Sequence, residues 1–404
     1  MSESYKYFCY QEYLLHVAKL QKEMKKDNID VLLLSTPENI YYSTGYRSWY
    51  TSSLFRPVYV LVPPSGDPAI ILRILEKTTV QFTSWTPRIY CSGTATRNLG
   101  QLDAVDSTDA IHKYLNDFVP GAKTIGVEAG IGQQHFWSLN LLKEIIDSLP
   151  HITFVDGSLP IQRARMVKTP WEVEKLRTVG QITERAILET GQTIIAGVTT
   201  EKDISKGIAM RMSANGVDKI SYLTVTSGPD KYRTFNTYAT DRIVQKGDFI
   251  LVDISGHIDG YASDLTRVFY LGTTPNLERE MAFLASESVK AGKNAMKPGK
   301  KVSEINRICE EEIRKTKFKN FLVHTSGHGI GLNVVEHPVL QDNEDTELKP
   351  GMVFAVEQGV YPFDIEKGVE SMYLSFRMED MVLITEDGSQ WLTGPGDPII
   401  EILN

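Results

Sequence analysis

Apolar residues recur along the first part of the chain in two alternating rhythms. Tyr13, Val17, Leu20 and Met24 fall at the three-to-four-residue spacing that lines one face of a helix. Short continuous apolar runs follow at Val31 to Leu34, Val58 to Val62, Ala69 to Leu72 and Thr124 to Val127, and these read as strands. A second amphipathic helix is predicted around Phe136 to Ile146. This alternation predicts a self-contained α/β domain over residues 1–160. No convincing chemical motif falls inside it.

A boundary is expected near residue 165. In Thr169-Pro170-Trp171-Glu172, threonine can cap a helix, proline fits its first turn and glutamate reaches back to the capping N–H. A long helix should run from here through Leu176, Val179 and Ile187 toward Gly191, and Thr200 with Asp203 opens another. The pattern then changes to strands at Ser221 to Thr226, Phe249 to Ile254 and Leu265 to Leu271, with Gly256, Asp259 and Gly260 as turn residues. Helical spacing returns at Leu277, Met281, Leu284 and Ala285 and again from Ser303 to Ile313, before strands at Met352 to Val356 and Met381 to Ile384. Helices then strands, twice over, predict an α+β domain of two related halves over residues 165–404, although no short sequence repeat marks the duplication.

Composition narrows the class. With 404 residues, 42% hydrophobic and 23% charged, the chain has an ordinary globular make-up that excludes disordered, collagen-like and coiled-coil proteins. Its 43 basic against 51 acidic residues, net −8, leave no electrostatic footprint for nonspecific nucleic-acid or anionic-membrane binding. Cys9, Cys91 and Cys309 lie far apart, which argues against a disulfide framework or a thiolate metal site. Met1 to Tyr10 has no apolar core with a cleavage site, and the apolar runs are far shorter than the roughly 20 residues that span a bilayer. A cytoplasmic protein is expected.

Chemistry concentrates in the second domain. Asp253 interrupts the apolar strand Phe249 to Ile254, and an unpaired buried carboxylate must find a cation or become neutral. Asp264 follows after a turn, and a hairpin would set the two carboxylates face to face, where they repel unless a metal lies between them. Pairing of one with Arg267 is the structural alternative. Three further segments fall in order: Ser326-Gly327-His328-Gly329-Ile330-Gly331, whose glycines would let a metal or substrate approach the backbone; Phe354-Ala355-Val356-Glu357 after the Lys349-Pro350-Gly351 turn; and Arg377-Met378-Glu379-Asp380-Met381. Each alone also reads as a strand-end salt bridge or a turn.

The ordered set Asp253, Asp264, His328, Glu357 and Glu379 resembles the metal-ligand signature of the pita-bread family of prolidase, aminopeptidase P, methionine aminopeptidase and the metal-free creatinase. The resemblance runs through Val167 to Thr385 and, more loosely, through Asn39-Ile40-Tyr41-Tyr42 and Phe55-Arg56-Pro57 in the first domain. It implies a pita-bread catalytic domain preceded by a smaller creatinase-like α/β domain. It also implies two divalent ions, with Asp264 and Glu379 bridging, Asp253 on one ion, and His328 with Glu357 on the other. Four carboxylates and one imidazole suit Mn²⁺ first, with Co²⁺, Fe²⁺ or Zn²⁺ as alternatives. The same resemblance makes Glu357 the general base and places Arg377 where a guanidinium grips a substrate carboxylate, unless it pairs with a neighbouring carboxylate instead.

The pattern is incomplete. A family histidine about eleven residues before Gly247-Asp248 is Asn236 here, and a second, seven residues after His328, is Val335, with His337 two places on. His324 keeps the place of an auxiliary histidine of aminopeptidase P. Catalytic roles are therefore expected for Glu357 and His324, and for Asn236 or His337 if either replaces a missing imidazole. By resemblance to creatinase, Arg56 would hold an anionic group in the site of a second subunit, and Trp49 or Phe55 would pack over a cationic one. The expected protein is a homodimer with a shared site, acting on a dipeptide with proline second. Two alternatives stand beside it. One is a non-peptidase relative, a creatinase-like amidinohydrolase or a metal-dependent lyase on a zwitterion such as dimethylsulfoniopropionate; the other is a non-catalytic binding protein.

Overall fold

The computed structural model describes residues 10–53, 55–92, 102–130, 138–229, 234 and 236–403. It divides into two compact units, Met1–Arg165 and Met166–Asn404. The first contains α1 (Tyr10–Lys26), β1 (Val31–Leu34), α2 (Pro37–Thr44), β2 (Tyr59–Val62), β3 (Ala69–Arg73), α3 (Lys77–Thr83), β4 (Arg88–Ser92), α4 (Ser107–Phe118), β5 (Thr124–Val127), α5 (Leu139–Ser148), β6 (Thr153–Asp156) and α6 (Ser158–Met166), which runs one residue past the division. Their strands form a sheet in the order β4-β3-β2-β1-β5-β6. Tyr13, Val17, Leu20 and Met24 are buried on α1 as their spacing predicts. Of the helix expected from Phe136, α5 is the described part; Phe136 itself lies outside the described residues.

The second unit opens with α7 (Pro170–Gly191) and α8 (Glu201–Ala214), followed by β7 (Lys219–Ser227), β8 (Phe249–Ile258), β9 (Tyr261–Ala262) and β10 (Leu265–Leu271). Then come α9 (Asn276–Ala295), α10 (Val302–Arg314), β11 (Gly327–Gly329), β12 (Glu336–Val339), β13 (Val353–Val360), β14 (Phe376–Ile384), β15 (Ser389–Trp391) and β16 (Ile400–Ile402). The order is helix pair then strands, twice. Thr169 and Glu172 form the expected reciprocal cap on α7, and Thr200 with Asp203 does the same on α8. Local chemistry thus sets where both helices begin.

One large sheet runs β12-β11-β13-β14-β10-β8-β7, with β15 on β14, β16 on β10 and β9 on β8. Ile250, Val252, Ile254, Leu265 and Phe269 pack with Val179, Ile187 and Ile208 of α7 and α8, while Phe354, Val356 and Val382 pack with Val289, Ile305 and Cys309 of α9 and α10. Both helix pairs therefore cover the same face. Because successive strand residues point to opposite faces, Asp253, Thr266 and Glu379 are left on the other. Among the described residues, no helix is long and apolar enough to cross a membrane.

Candidate metal centre

Register explains how residues scattered along the sequence meet. Glu357 on β13 is opposite Glu379 on β14, Glu379 is opposite Thr266 on β10, and Thr266 is opposite Asp253 on β8. These four therefore share one row and one face. Asp264 precedes Thr266 by two residues, and His328 is paired with Ala355, two before Glu357, so both project from the same face. The expected face-to-face pairing of Asp253 with Asp264 is not formed: Thr266 stands opposite Asp253, and Asp264 stands diagonally.

Oxygen or nitrogen atoms of Asp264, His328 and Glu379 lie within 4.8 Å of one another. His328 Nε2 is 3.6 Å from Asp264 Oδ2 and 3.9 Å from Glu357 Oε1. Its Nδ1 lies 3.0 Å from the carbonyl oxygen of Gly329. A carbonyl can only accept, so the proton sits on Nδ1 and the Nε2 lone pair faces the carboxylates, the tautomer a metal ligand requires. Gly327 has φ +124°, and a Cβ there would lie 2.0 Å from the Ala355 carbonyl oxygen. That glycine admits the backbone of β13, which corrects the expectation that it clears space for a metal.

Asp253 completes the row beside a cation. Nη2 of Arg377 contacts its Oδ2, and Nε of Arg377 donates to Thr266 Oγ1 at 3.1 Å. The Thr266 hydroxyl in turn donates to Glu379 Oε2 at 2.8 Å. The Tyr222 hydroxyl reaches Asp264 Oδ1 and lies 3.2 Å from Asp253 Oδ1. Arg267 pairs with Asp380 and Glu184 instead of either site aspartate.

Four carboxylates thus share one guanidinium. Burial and then the charge of Asp253 hold Asp264 well above the usual carboxylate range; burial and then Asp264 do the same to Glu379. Asp253 is raised by burial, with Arg377 opposing the shift. Buried carboxylates in this state call for cations, and an oxygen-rich set with one imidazole fits hard divalent ions.

The cage opens into a cavity of about 930 Å³ lined by Tyr222, Asn236, Tyr238, His324, Val334, Val335 and Arg377 together with the five cage residues. His324 donates from Nδ1 to the Thr325 carbonyl at 2.6 Å, so its Nε2 accepts from the Tyr361 hydroxyl at 2.6 Å. Burial lowers its pKa, and the neutral ring stands with Nδ1 3.9 Å from Glu357 Oε2. His337 is not among the lining residues; its Nδ1 lies 3.6 Å from Glu344. Tyr222, Thr266 and Tyr361 were not singled out from sequence. The polar Tyr222 and Thr224 alternating with Leu223 and Val225 on β7 were the available signal, but such alternation on an edge strand is ordinary and singles out no residue.

In the first unit, Arg56 lies over the rings of Trp49, at 5.4 Å, and Tyr50, at 5.1 Å. Trp49 is 73% exposed and Phe55 88%. Trp49 therefore packs over a cation of its own chain.

Residues 174–386 match metallopeptidase family M24, and residues 16–167 match the creatinase/prolidase N-terminal domain. The chain is 26% identical over 382 residues to an Xaa-Pro dipeptidase of Pyrococcus furiosus, covering 93% of this chain and 96% of that one. An X-Pro aminopeptidase structure from Thermotoga maritima superposes with TM-score 0.77 at 26% identity, covering 96% and 99% of the two chains. Dipeptidase PepE of Mycobacterium ulcerans, 23% identical, shares the fold with TM-score 0.82 over 98% and 100%.

Proposed function

Because the chain belongs to metallopeptidase family M24, we propose that it is a dinuclear-metal hydrolase that cleaves the C–N bond of a small carboxylate-bearing substrate, with Xaa-Pro dipeptides as the substrate class. One observation carries this reading: Asp253, Asp264, His328, Glu357 and Glu379 converge on one sheet face at the floor of one cavity. Those five side chains would hold the ions, with Mn²⁺ preferred by an oxygen-rich donor set and Co²⁺, Fe²⁺ or Zn²⁺ as alternatives. When bound, such ions lower the pKa of a water and polarise a carbonyl oxygen.

The chain's own residues supply the rest. Glu357 stands between His328 and His324, with an oxygen toward each, and takes the proton from the attacking water. Tyr361 holds His324 by donating to its Nε2, which fixes the ring at the cavity wall. Arg377 lines the same cavity, and a substrate carboxylate reaches its guanidinium in competition with Asp253. In a second reading the enzyme is a non-peptidase relative acting on a guanidino acid or a small zwitterion. What favours it is that Asn236 and Val335 both line the cavity and neither can shuttle a proton.

We also propose a homodimer in which Arg56 of one chain serves the site of the other. The support is the exposure of Trp49 and Phe55 around it. A substrate screen on Mn²⁺-loaded protein decides among these readings. Turnover of Xaa-Pro dipeptides that is lost in Glu357→Ala supports the peptidase; turnover confined to a guanidino acid, a betaine or dimethylsulfoniopropionate supports the second reading. A chain that binds less than about one ion under Mn²⁺ supplementation sinks the dinuclear hydrolase and the metal-dependent lyase, and leaves only a metal-free, creatinase-like reaction on a guanidino acid.

A further inference from the structure

The neighbours of the cage residues point away from the cage, because strand residues alternate between faces. Thr266 and Glu379 are the register pair that joins β10 to β14 among the described residues. On the cage face their side chains are linked by the Thr266 hydroxyl. On the opposite face the next residues along, Arg267 and Asp380, meet. Nη2 of Arg267 donates to Asp380 Oδ1 and to Glu184 Oε1 of α7, each at 2.6 Å. Nη1 donates to the backbone carbonyls of Thr266, at 3.0 Å, and of Glu379, at 2.8 Å.

This guanidinium is fully buried, and the chain closes over it without room to spare: a Cβ on Gly396 would lie 2.7 Å from Nε of Arg267. Burying such a charge is costly, and replacing a buried ion pair with apolar groups of similar volume is often neutral or stabilising. Stability alone is therefore a poor reason for an arginine here. An apolar side chain of that volume could not, however, grip two carbonyls on neighbouring strands. Both carbonyls flank the site: one belongs to the ligand Glu379 and the other lies two residues past the ligand Asp264.

We propose that Arg267 is a positioning residue for the metal centre, clamping β10 to β14 from behind and so fixing the separation of Asp264 and Glu379. Asp380 and Glu184 hold the planar fork in the orientation this needs. The inference rests on the metal-centre reading above and extends it to residues that cannot touch an ion or substrate.

The test uses the full chain as wild type, Arg267→Lys and Asp380→Asn. Lysine keeps the charge and loses the fork; asparagine keeps the shape and loses the charge that orients it. Metal-free proteins are compared by circular dichroism, then titrated with Co²⁺, following affinity by calorimetry and ligand geometry by visible absorption. Both variants should fold and bind Co²⁺ more weakly by about 10–100-fold, the range for residues that orient ligands, with an altered absorption band. Wild-type affinity and spectrum in the variants that fold overturn the proposal. So does failure of both to fold, which would make Arg267 a requirement of the fold instead of the centre. Wild type that itself binds no Co²⁺ sinks the metal-centre reading and this inference with it, whereas normal wild-type binding with unaffected variants sinks this inference alone.

Discussion

Glu357 and Glu379 stand directly opposite each other on β13 and β14, two carboxylates in one cross-strand pair. Like charges so placed destabilise a sheet, and Glu379 answers by holding its proton, through burial and then the charges of Asp264 and Glu357. The folded chain therefore favours a protonated Glu379, and a cation bound between the carboxylates would replace that proton.

Glu379→Gln should accordingly separate stability from binding. In chelator at neutral pH the variant should melt above wild type, by the equivalent of about 1 kcal/mol or more, because glutamine needs no proton taken up on folding. With Mn²⁺ the order should reverse, since the variant has lost one of five ligands and gains less from the ion. Differential scanning fluorimetry with EDTA and with Mn²⁺ reads both, and a variant that still gains as much as wild type would count against Glu379 as a ligand.

The same carboxylates set a pH dependence. Asp264 and Glu379 are raised in the folded chain, by burial first and then by Asp253 and Asp264 respectively. Their contribution to stability is then fully present below the unfolded value, near 4 for such groups, and is lost as pH rises through the folded value. Metal binds only the deprotonated forms. The melting-temperature gain from Mn²⁺ over EDTA should grow from acid to neutral pH, and a gain that is equal or larger under acid conditions would contradict this assignment.

Breaking the Arg377–Asp253 pair should be expensive in the metal-free chain. Both side chains are nearly buried, and removing one partner of such a pair leaves the other uncompensated, at a cost of about 3–5 kcal/mol. Arg377→Ala should lose about that much in urea denaturation with EDTA. A loss under about 1 kcal/mol, the range of exposed pairs, would mean that Asp253 finds another partner.

What could be read from the sequence was what short-range chemistry writes there. The Thr169–Glu172 cap, the apolar stripe of α1 and the lone Asp253 inside an apolar run each declare themselves within a few residues. The five candidate ligands were legible only as an ordered set that resembles a family. Their grouping depends on register between strands, and register is a long-range property: Arg377 meets Asp253 across 124 positions. For the same reason Arg267 reads from sequence as a partner for Asp253 or Asp264, when alternation sends it to the opposite face with Asp380. Val353–Val360 and Phe376–Ile384 extend beyond the apolar cores that announce them, because Glu357, Arg377 and Glu379 within them face the cage.

A site completed by a second copy makes a simple prediction for mixed chains. Arg56→Ala and Glu357→Ala proteins, each inactive alone, should regain part of the activity when mixed and allowed to exchange subunits. In such a mixture one of the two sites in a heterodimer receives both an intact Arg56 and an intact Glu357. Absence of any recovery, with exchange verified by mass labelling, would remove Arg56 from the reaction.

The choice between peptidase and non-peptidase turns on the cavity wall. Asn236 and Val335 line it, and a general acid positioned at the leaving group contributes about 10²–10⁴-fold. Val335 is 59% exposed, so a histidine there meets little steric cost. If the protein hydrolyses Xaa-Pro dipeptides slowly for want of a proton donor, Val335→His, alone or with Asn236→His, should raise kcat for those substrates while metal content stays fixed. If it is built for a zwitterion or guanidino acid, the new imidazole should leave dipeptide turnover unchanged and impair the native reaction by crowding the cavity. Measuring kcat and KM of the variants on both substrate classes separates the outcomes, because a missing acid is repaired in kcat and a mismatched pocket is seen in KM.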